Sequence, residues 1–152
     1  MYQTDLTIRS LHMLRTILEG ESLPSMRLFL VHGYSLPDSI TDLLFFSKKE
    51  VIAAIADKAF REACDVLQNR FPAISTLEVD LFSGWSQSAF DGYMSARGIS
   101  RIYKPLGTNF ELKNRNSFDF SRFYKKSGLE TIEFGHVRHD FFKGSTTLVD
   151  LF

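Results

Sequence analysis

Over its first 105 residues the sequence alternates helical stretches with short apolar runs, and few architectures accept that order. Residues 6–19 carry Leu11, Leu14 and Leu18 at helical spacing, with Ile17 beside them. Thr4, Asp5 and Thr7 are candidate N-caps for that helix, and Gly20 is a candidate stop. Past Pro24, residues 26–32 form a short apolar run that suits a buried strand of a parallel sheet. Residues 33–46 read as a loop, with Gly33, Pro37, Asp38 and Ser39 as turn formers. Ser47-Lys48-Lys49-Glu50 is a capping box. Behind it Ile52, Ile55, Ala59, Ala63, Val66 and Leu67 predict one long helix that ends before Pro72.

Residues 74–82 place Leu77, Val79 and Leu81 on one face and Glu78 and Asp80 on the other, the pattern of an edge strand. Ser86 or Ser88 then caps a helix that contains Phe90, Tyr93 and Met94 and stops at Gly98. Residues 99–105 read as the next strand, 106–117 as a polar loop, 121–127 as a short helix and 129–134 as a last strand. The expected fold class is therefore α/β, an open parallel sheet of about five strands with helices on both faces.

Composition narrows the function classes. The chain has 152 residues, 18 basic and 18 acidic, so its formal net charge is zero. That balance argues against a generic nucleic-acid binder. The length predicts one domain over 1–152, with a core at 1–135 and an aromatic tail at 136–152. No apolar run suits a membrane helix, and residues 1–10 lack a basic-then-apolar leader pattern, so a cytoplasmic location is expected. The single cysteine, Cys64, excludes an internal disulfide framework; it falls near the apolar face of the long helix and reads as a buried thiol.

This order of elements, with Thr4-Asp5-Leu6-Thr7 before the first helix and Leu30-Val31-His32-Gly33-Tyr34 ending the second strand, resembles the universal stress protein family. The resemblance covers roughly residues 1–135 and is one of layout. It implies a three-layer α/β/α sandwich of the adenine-nucleotide alpha-hydrolase-like kind, with strand order 3-2-1-4-5, a first strand at Met1–Thr4 and 74–82 at an edge. It also implies a homodimer and a stress-linked, non-catalytic role. ATP-binding members carry a glycine phosphate loop after the fourth strand, in which backbone N–H groups and a helix N-terminus meet the phosphates. In that register Gly107 takes the first glycine position and Ser121 the last position, but Phe110 and Phe120 replace the other two glycines. A side chain then fills the phosphate space, so weak or absent ATP binding is expected, with no other cofactor.

Several residues are candidates for chemistry. Asp5 and His32 belong at the C-terminal ends of adjacent strands, where open parallel sheets bind ligands. With Gly107 and Ser121 they form the candidate ligand site; Asp5 as a helix cap and His32 as a structural histidine are the plainer readings. Gly84-Trp85-Ser86-Gln87-Ser88 lies between a strand and a helix, like a nucleophile elbow, though Ser88 stands where glycine belongs. Ser86 as nucleophile with His136 as base, a carboxylate such as Asp119 before it and His32-Gly33 as an oxyanion segment make a small serine hydrolase the alternative. The plainer reading is that Ser86 caps a helix. In His136-x-x-His139-Asp140 the two imidazoles have a metal-like spacing, but no third ligand is apparent, so no metal site is expected.

Residues 104–126 hold Lys104, Lys113, Arg115, Arg122, Lys125 and Lys126 against Glu111 and Asp119, while residues 38–91 are net acidic. Such a cluster is commonly a solvated face, but the two regions could complement each other between subunits. Of 15 phenylalanines, Phe110, Phe118, Phe120, Phe123, Phe134, Phe141, Phe142 and Phe152 fall in the last 43 residues. That excess is expected to fill the nucleotide site and to continue as a tail packed across a homodimer contact with the last strand. A protein-interaction module using the tail is the third reading.

Overall fold

The structure is a computed structural model, and it describes residues 1–20, 25–107, 109–112 and 114–135. The strands are β1 (Tyr2–Gln3), β2 (Met26–Gly33), β3 (Ile74–Phe82), β4 (Arg101–Pro105) and β5 (Glu130–Phe134). They form one sheet of order β3-β2-β1-β4-β5, and all four pairings are parallel. The helices are α1 (Ile8–Gly20), α2 (Ile40–Leu44), α3 (Lys48–Ile55), α4 (Lys58–Arg70) and α5 (Gln87–Ala96). The architecture is the expected three-layer α/β/α sandwich, with β3 at one edge and β5 at the other.

Each face of the sheet buries its own cluster. On one face Leu11, Leu14 and Ile17 of α1 meet Phe60, Ala63 and Leu67 of α4 over Tyr2, Leu28 and Leu30. Cys64 lies in the same layer, buried as expected, and burial pushes its thiol up to about 12. On the other face Phe90 and Met94 of α5 cover Phe29, Val31, Phe82 and Ile102, together with Phe120, Phe123 and Tyr124. The Phe82 ring is the hub, with centroids of Phe90 at 5.5 Å, Tyr93 at 5.3 Å and Phe120 at 5.2 Å, each edge-on. Edge-on pairs at such distances add to simple burial because the ring edge meets the neighbour's π face. Of the late phenylalanines, Phe120 and Phe123 complete this core, Phe118 packs against it and Phe134 packs against the other; Phe141, Phe142 and Phe152 lie outside the described residues.

Three local expectations are corrected. The stretch 33–46 is not all loop, because Ser39 accepts the Asp42 amide at 3.0 Å and caps α2. None of the α2 side chains is buried, so no one-sided apolar pattern marks that helix. The single long helix over 47–71 is two helices. Ser47 caps α3, then Ala56 turns extended, and Asp57 restarts the chain by accepting the Phe60 amide at 2.7 Å. Ile52, Ile55, Ala56 and Phe60 pack against one core across the break, so the apolar spacing hides it. The helix expected at 121–127 is a 3-10 turn at Ser121–Phe123. β1 is shorter still than the expected Met1–Thr4, and Ser86 is the cap of α5.

Replacing Asp57 by alanine should cost about 1 kcal/mol in urea denaturation, as a lost N-cap does. An unchanged midpoint and slope would show that the α3–α4 break is not held by this carboxylate.

Candidate functional site

All five strands point the same way, so the ends of β1, β2 and β4 share one edge of the sheet. The order reverses at β1, which makes that edge the expected ligand crevice. The chain between β1 and α1 is a tight turn. Leu6 is fully buried at φ +63, a left-handed conformation that costs a branched residue about 1 kcal/mol or more. Two neighbours hold it there. Thr4 Oγ1 accepts the Leu6 amide at 3.0 Å, and one Asp5 carboxylate oxygen accepts the Thr7 amide at 3.0 Å and the Thr7 hydroxyl at 2.6 Å.

Asp5 therefore shapes the turn two residues ahead of α1 rather than capping the helix itself, and it does one thing more. Its second carboxylate oxygen accepts the backbone amide of Glu111 at 2.9 Å. Glu111 lies in the segment that follows β4, and its side chain pairs with Arg9 of α1 at 3.1 Å. Both oxygens of Asp5, itself buried, are thus engaged by the chain's own backbone and side chains.

His32 is equally committed. It lies near the end of β2, 1% exposed. Its Nδ1 is 2.9 Å from the Thr4 carbonyl and its Nε2 is 2.7 Å from the Ser117 hydroxyl. A carbonyl only accepts, so Nδ1 carries the proton and Nε2 of the neutral ring accepts the Ser117 hydroxyl. Burial favours that neutral ring and holds His32 below the ordinary imidazole value, against the opposing pull of the Thr4 carbonyl and of Asp5.

Ser117 is where the covering segment is fastened. The Phe118 amide donates to the Gly33 carbonyl at 3.0 Å, and the Ser35 amide donates to Asn116 at 2.8 Å. Tyr34 and Ser117 form an antiparallel bridge. A Cβ on Gly33 would collide with the Phe118 carbonyl, so glycine is required here by close approach of the backbone. Sequence reading took Gly33 as a turn former; it is the last residue of β2, and its carbonyl is engaged by the covering chain rather than shaping an oxyanion segment. A second tether lies beside it. Gln3 donates to Asp119 at 3.1 Å and accepts the Tyr124 hydroxyl at 2.8 Å, in a buried polar link between β1 and the 119–124 turn.

A neutral histidine that accepts a serine hydroxyl is half of a nucleophile–base pair. Among the described residues, the backbone amides beside Ser117 are not free to complete such a site. The amides of Asn116, Ser117 and Phe118 already donate to Asn114 Oδ1, the Asn114 carbonyl and the Gly33 carbonyl. An oxyanion needs free N–H groups at that point. As a contact, the pair latches the covering segment to the end of β2.

Gly107 and Ser121 flank the covering segment. Gly107 has φ +72 and open space where a Cβ would stand, so backbone conformation accounts for glycine there. The Ser121 amide donates to Asp119 at 2.8 Å and opens the 3-10 turn. Phe110 is half-buried, and Phe120 is fully buried in the aromatic core. The hydroxyl oxygen of Ser86 accepts the Ala89 amide at 3.1 Å, as a cap. His136, the base of the hydrolase reading, lies outside the described residues, as do His139, Asp140 and the rest of the tail at 136–152. Among the described residues no group of three His, Cys, Asp or Glu side chains is placed to hold a metal ion. No helix among them is long and apolar enough to cross a membrane.

Sequence reasoning placed Asp5 and His32 at this edge, and both are there. It missed Ser117, Asn116 and Gln3. Only the Asn114-x-Asn116-Ser117 turn chemistry hinted at the first two.

Because the folded chain keeps His32 neutral, the unfolded chain takes up a proton on that residue first as the solution is acidified. Stability should therefore fall as pH drops below 6.5, and the fall should be smaller in His32→Gln. Urea denaturation at about pH 7.5 and about pH 5.5 measures both. An identical pH dependence in the two proteins would contradict the assignment.

No family model matches the chain, and no curated protein matches it. Among solved structures it is similar to the crystal structure of a hypothetical protein, PH0823, at 12% identity and a TM-score of 0.52, covering 88% of this chain and 92% of that one. A likeness at that identity is one of fold, and it agrees with the parallel three-layer α/β/α architecture.

Proposed function

We propose that this chain is a universal-stress-protein-like domain that works without catalysis, with the nucleotide edge of its sheet closed by the described part of the segment that follows β4. In this reading it is a cytoplasmic, stress-linked or ligand-sensing domain. It acts as a homodimer through β5 and the aromatic tail. The observation that supports closure most strongly is the Asp5 carboxylate. The position that commonly faces the base in ATP-binding relatives is bonded here to the chain's own Glu111 amide. The His32–Ser117 latch and the Phe118 backbone over Gly33 support the same reading. β5 is a sheet edge, and an edge strand offers a row of main-chain groups to a second copy.

The test is a thermal-shift titration with Mg-ATP. A ligand at a hundred times its Kd adds about 2.7 kcal/mol, or roughly 5–10 °C for a chain of this size. No saturable shift is expected. A saturable rise in Tm would contradict closure. In parallel, a fluorophosphonate probe should not label the protein. Labelling that disappears in Ser86→Ala would favour the hydrolase reading instead.

A further inference from the structure

The chain's one tryptophan stands just past the end of β3, and it is 60% exposed. The Trp85 ring lies nearly parallel to that of Phe118, with centroids 4.6 Å apart and planes at 21°. Phe118 is packed in turn against Phe82 at 6.2 Å and Phe120 at 6.4 Å. One face of Trp85 thus rests on an aromatic support, and the rest of the ring is open to solvent.

The chain around that stack is positively charged. Residues 114–128 carry Arg115, Arg122, Lys125 and Lys126 against Asp119, four cations against one anion, in a chain that is neutral overall. All four cations are exposed. None forms an ion pair with another described residue, whereas Arg97, Arg101 and Lys104 are all paired. The Asp119 carboxylate is engaged by Gln3 and by the Ser121 amide. Arg115 sits in the turn that the Ser117 amide closes on the Asn114 carbonyl, three residues before Phe118. Arg122 sits in the 3-10 turn, four residues after it. Its guanidinium lies on the Phe123 ring at 4.8 Å, which occupies a face and leaves the edge N–H groups to donate. Gln87 donates to the Phe123 carbonyl at 3.0 Å, so the start of α5, two residues from Trp85, is tied to the chain beside Arg122.

We propose that this surface binds single-stranded nucleic acid. One base stacks on the open face of Trp85, and the phosphates beside it pass Arg115 and Arg122, with Lys125 and Lys126 adding to the field. Every base has a π face, so stacking on an aromatic ring tolerates any sequence. Phosphates need no single convergent point, since exposed cations act through a screened field about 10 Å in range at roughly 0.1 M salt. A duplex keeps its base faces in its own stack and so loses the Trp85 contact. Overall neutrality excludes a uniformly basic surface; a local patch of this kind suits a salt-sensitive contact with one strand. Such binding goes beyond the function proposed above, because the ATP edge plays no part in it.

Trp85 supplies the readout, because no other tryptophan contributes to the fluorescence. The full chain is titrated with a thymidine oligonucleotide and, separately, with a uridine one, which distinguishes DNA from RNA as the source of the strand. Saturable quenching by either is expected. Affinity should fall with salt, log K against log salt sloping about −0.7 for each phosphate engaged. Trp85→Leu, followed through the anisotropy of a labelled oligonucleotide, should weaken binding about tenfold. The double variant Arg115→Gln, Arg122→Gln should weaken binding by a similar factor and make the salt slope shallower. Its unshifted Trp85 emission without ligand confirms that the stack is intact. Polyphosphate, a polyanion without bases, should leave the Trp85 emission unchanged. No saturable quenching with either strand, equal quenching by polyphosphate, equal or tighter binding of a duplex of the same length, or undiminished binding in both variants would each overturn the proposal.

Discussion

Two side chains at the end of the central strands, Asp5 and His32, have every polar atom bonded by the polypeptide itself, and the character of this sheet edge follows from that. A buried carboxylate and a buried imidazole are costly unless every polar atom finds a partner. In an open parallel sheet a ligand can supply such partners. Here Glu111 supplies one and Ser117 another, both from the segment after β4. The same segment brings Phe118 over Gly33 and delivers Phe120 to the aromatic hub. Polar satisfaction at the edge and apolar burial on the α5 face are one arrangement. Burial of the Phe120 ring contributes about 1.5–3 kcal/mol, which anchors the segment that carries the polar contacts.

The local backbone fits that arrangement. Leu6 is held left-handed while its side chain is fully buried. Such a conformation persists where neighbours over-determine it, and Thr4 and Asp5 do so through short-range hydrogen bonds. Asp5 thus ties the β1–α1 turn and the covering segment through one carboxylate.

Much of the fold was legible because it rests on patterns of period two and 3.6. The alternation of Leu77, Val79 and Leu81 with Glu78 and Asp80 marked an edge strand, and β3 is one. The Ser47 box and the Ser86 cap were readable from local chemistry. Where tertiary packing outweighs local pattern, the sequence misled. Ile52 through Phe60 keep a helical apolar spacing while Ala56 is extended, because α3 and α4 lean on the same core. The site was half legible. Asp5 and His32 follow from their place at strand ends, but Glu111 acts through its backbone amide, which any residue could supply. Ser117 is one serine among many until the chain folds back. Long-range contacts of that kind leave no periodic trace.

The most direct measurement is native-state hydrogen exchange at the Glu111 and Phe118 amides. Glu111 is a solvent-exposed residue in a loop, so its amide should exchange freely unless Asp5 holds it. Both amides should be protected in the intact chain, and Asp5→Ala should release Glu111 while β2 stays protected. Exchange of both amides at the rate of an open loop in the unsubstituted protein would contradict closure of this edge.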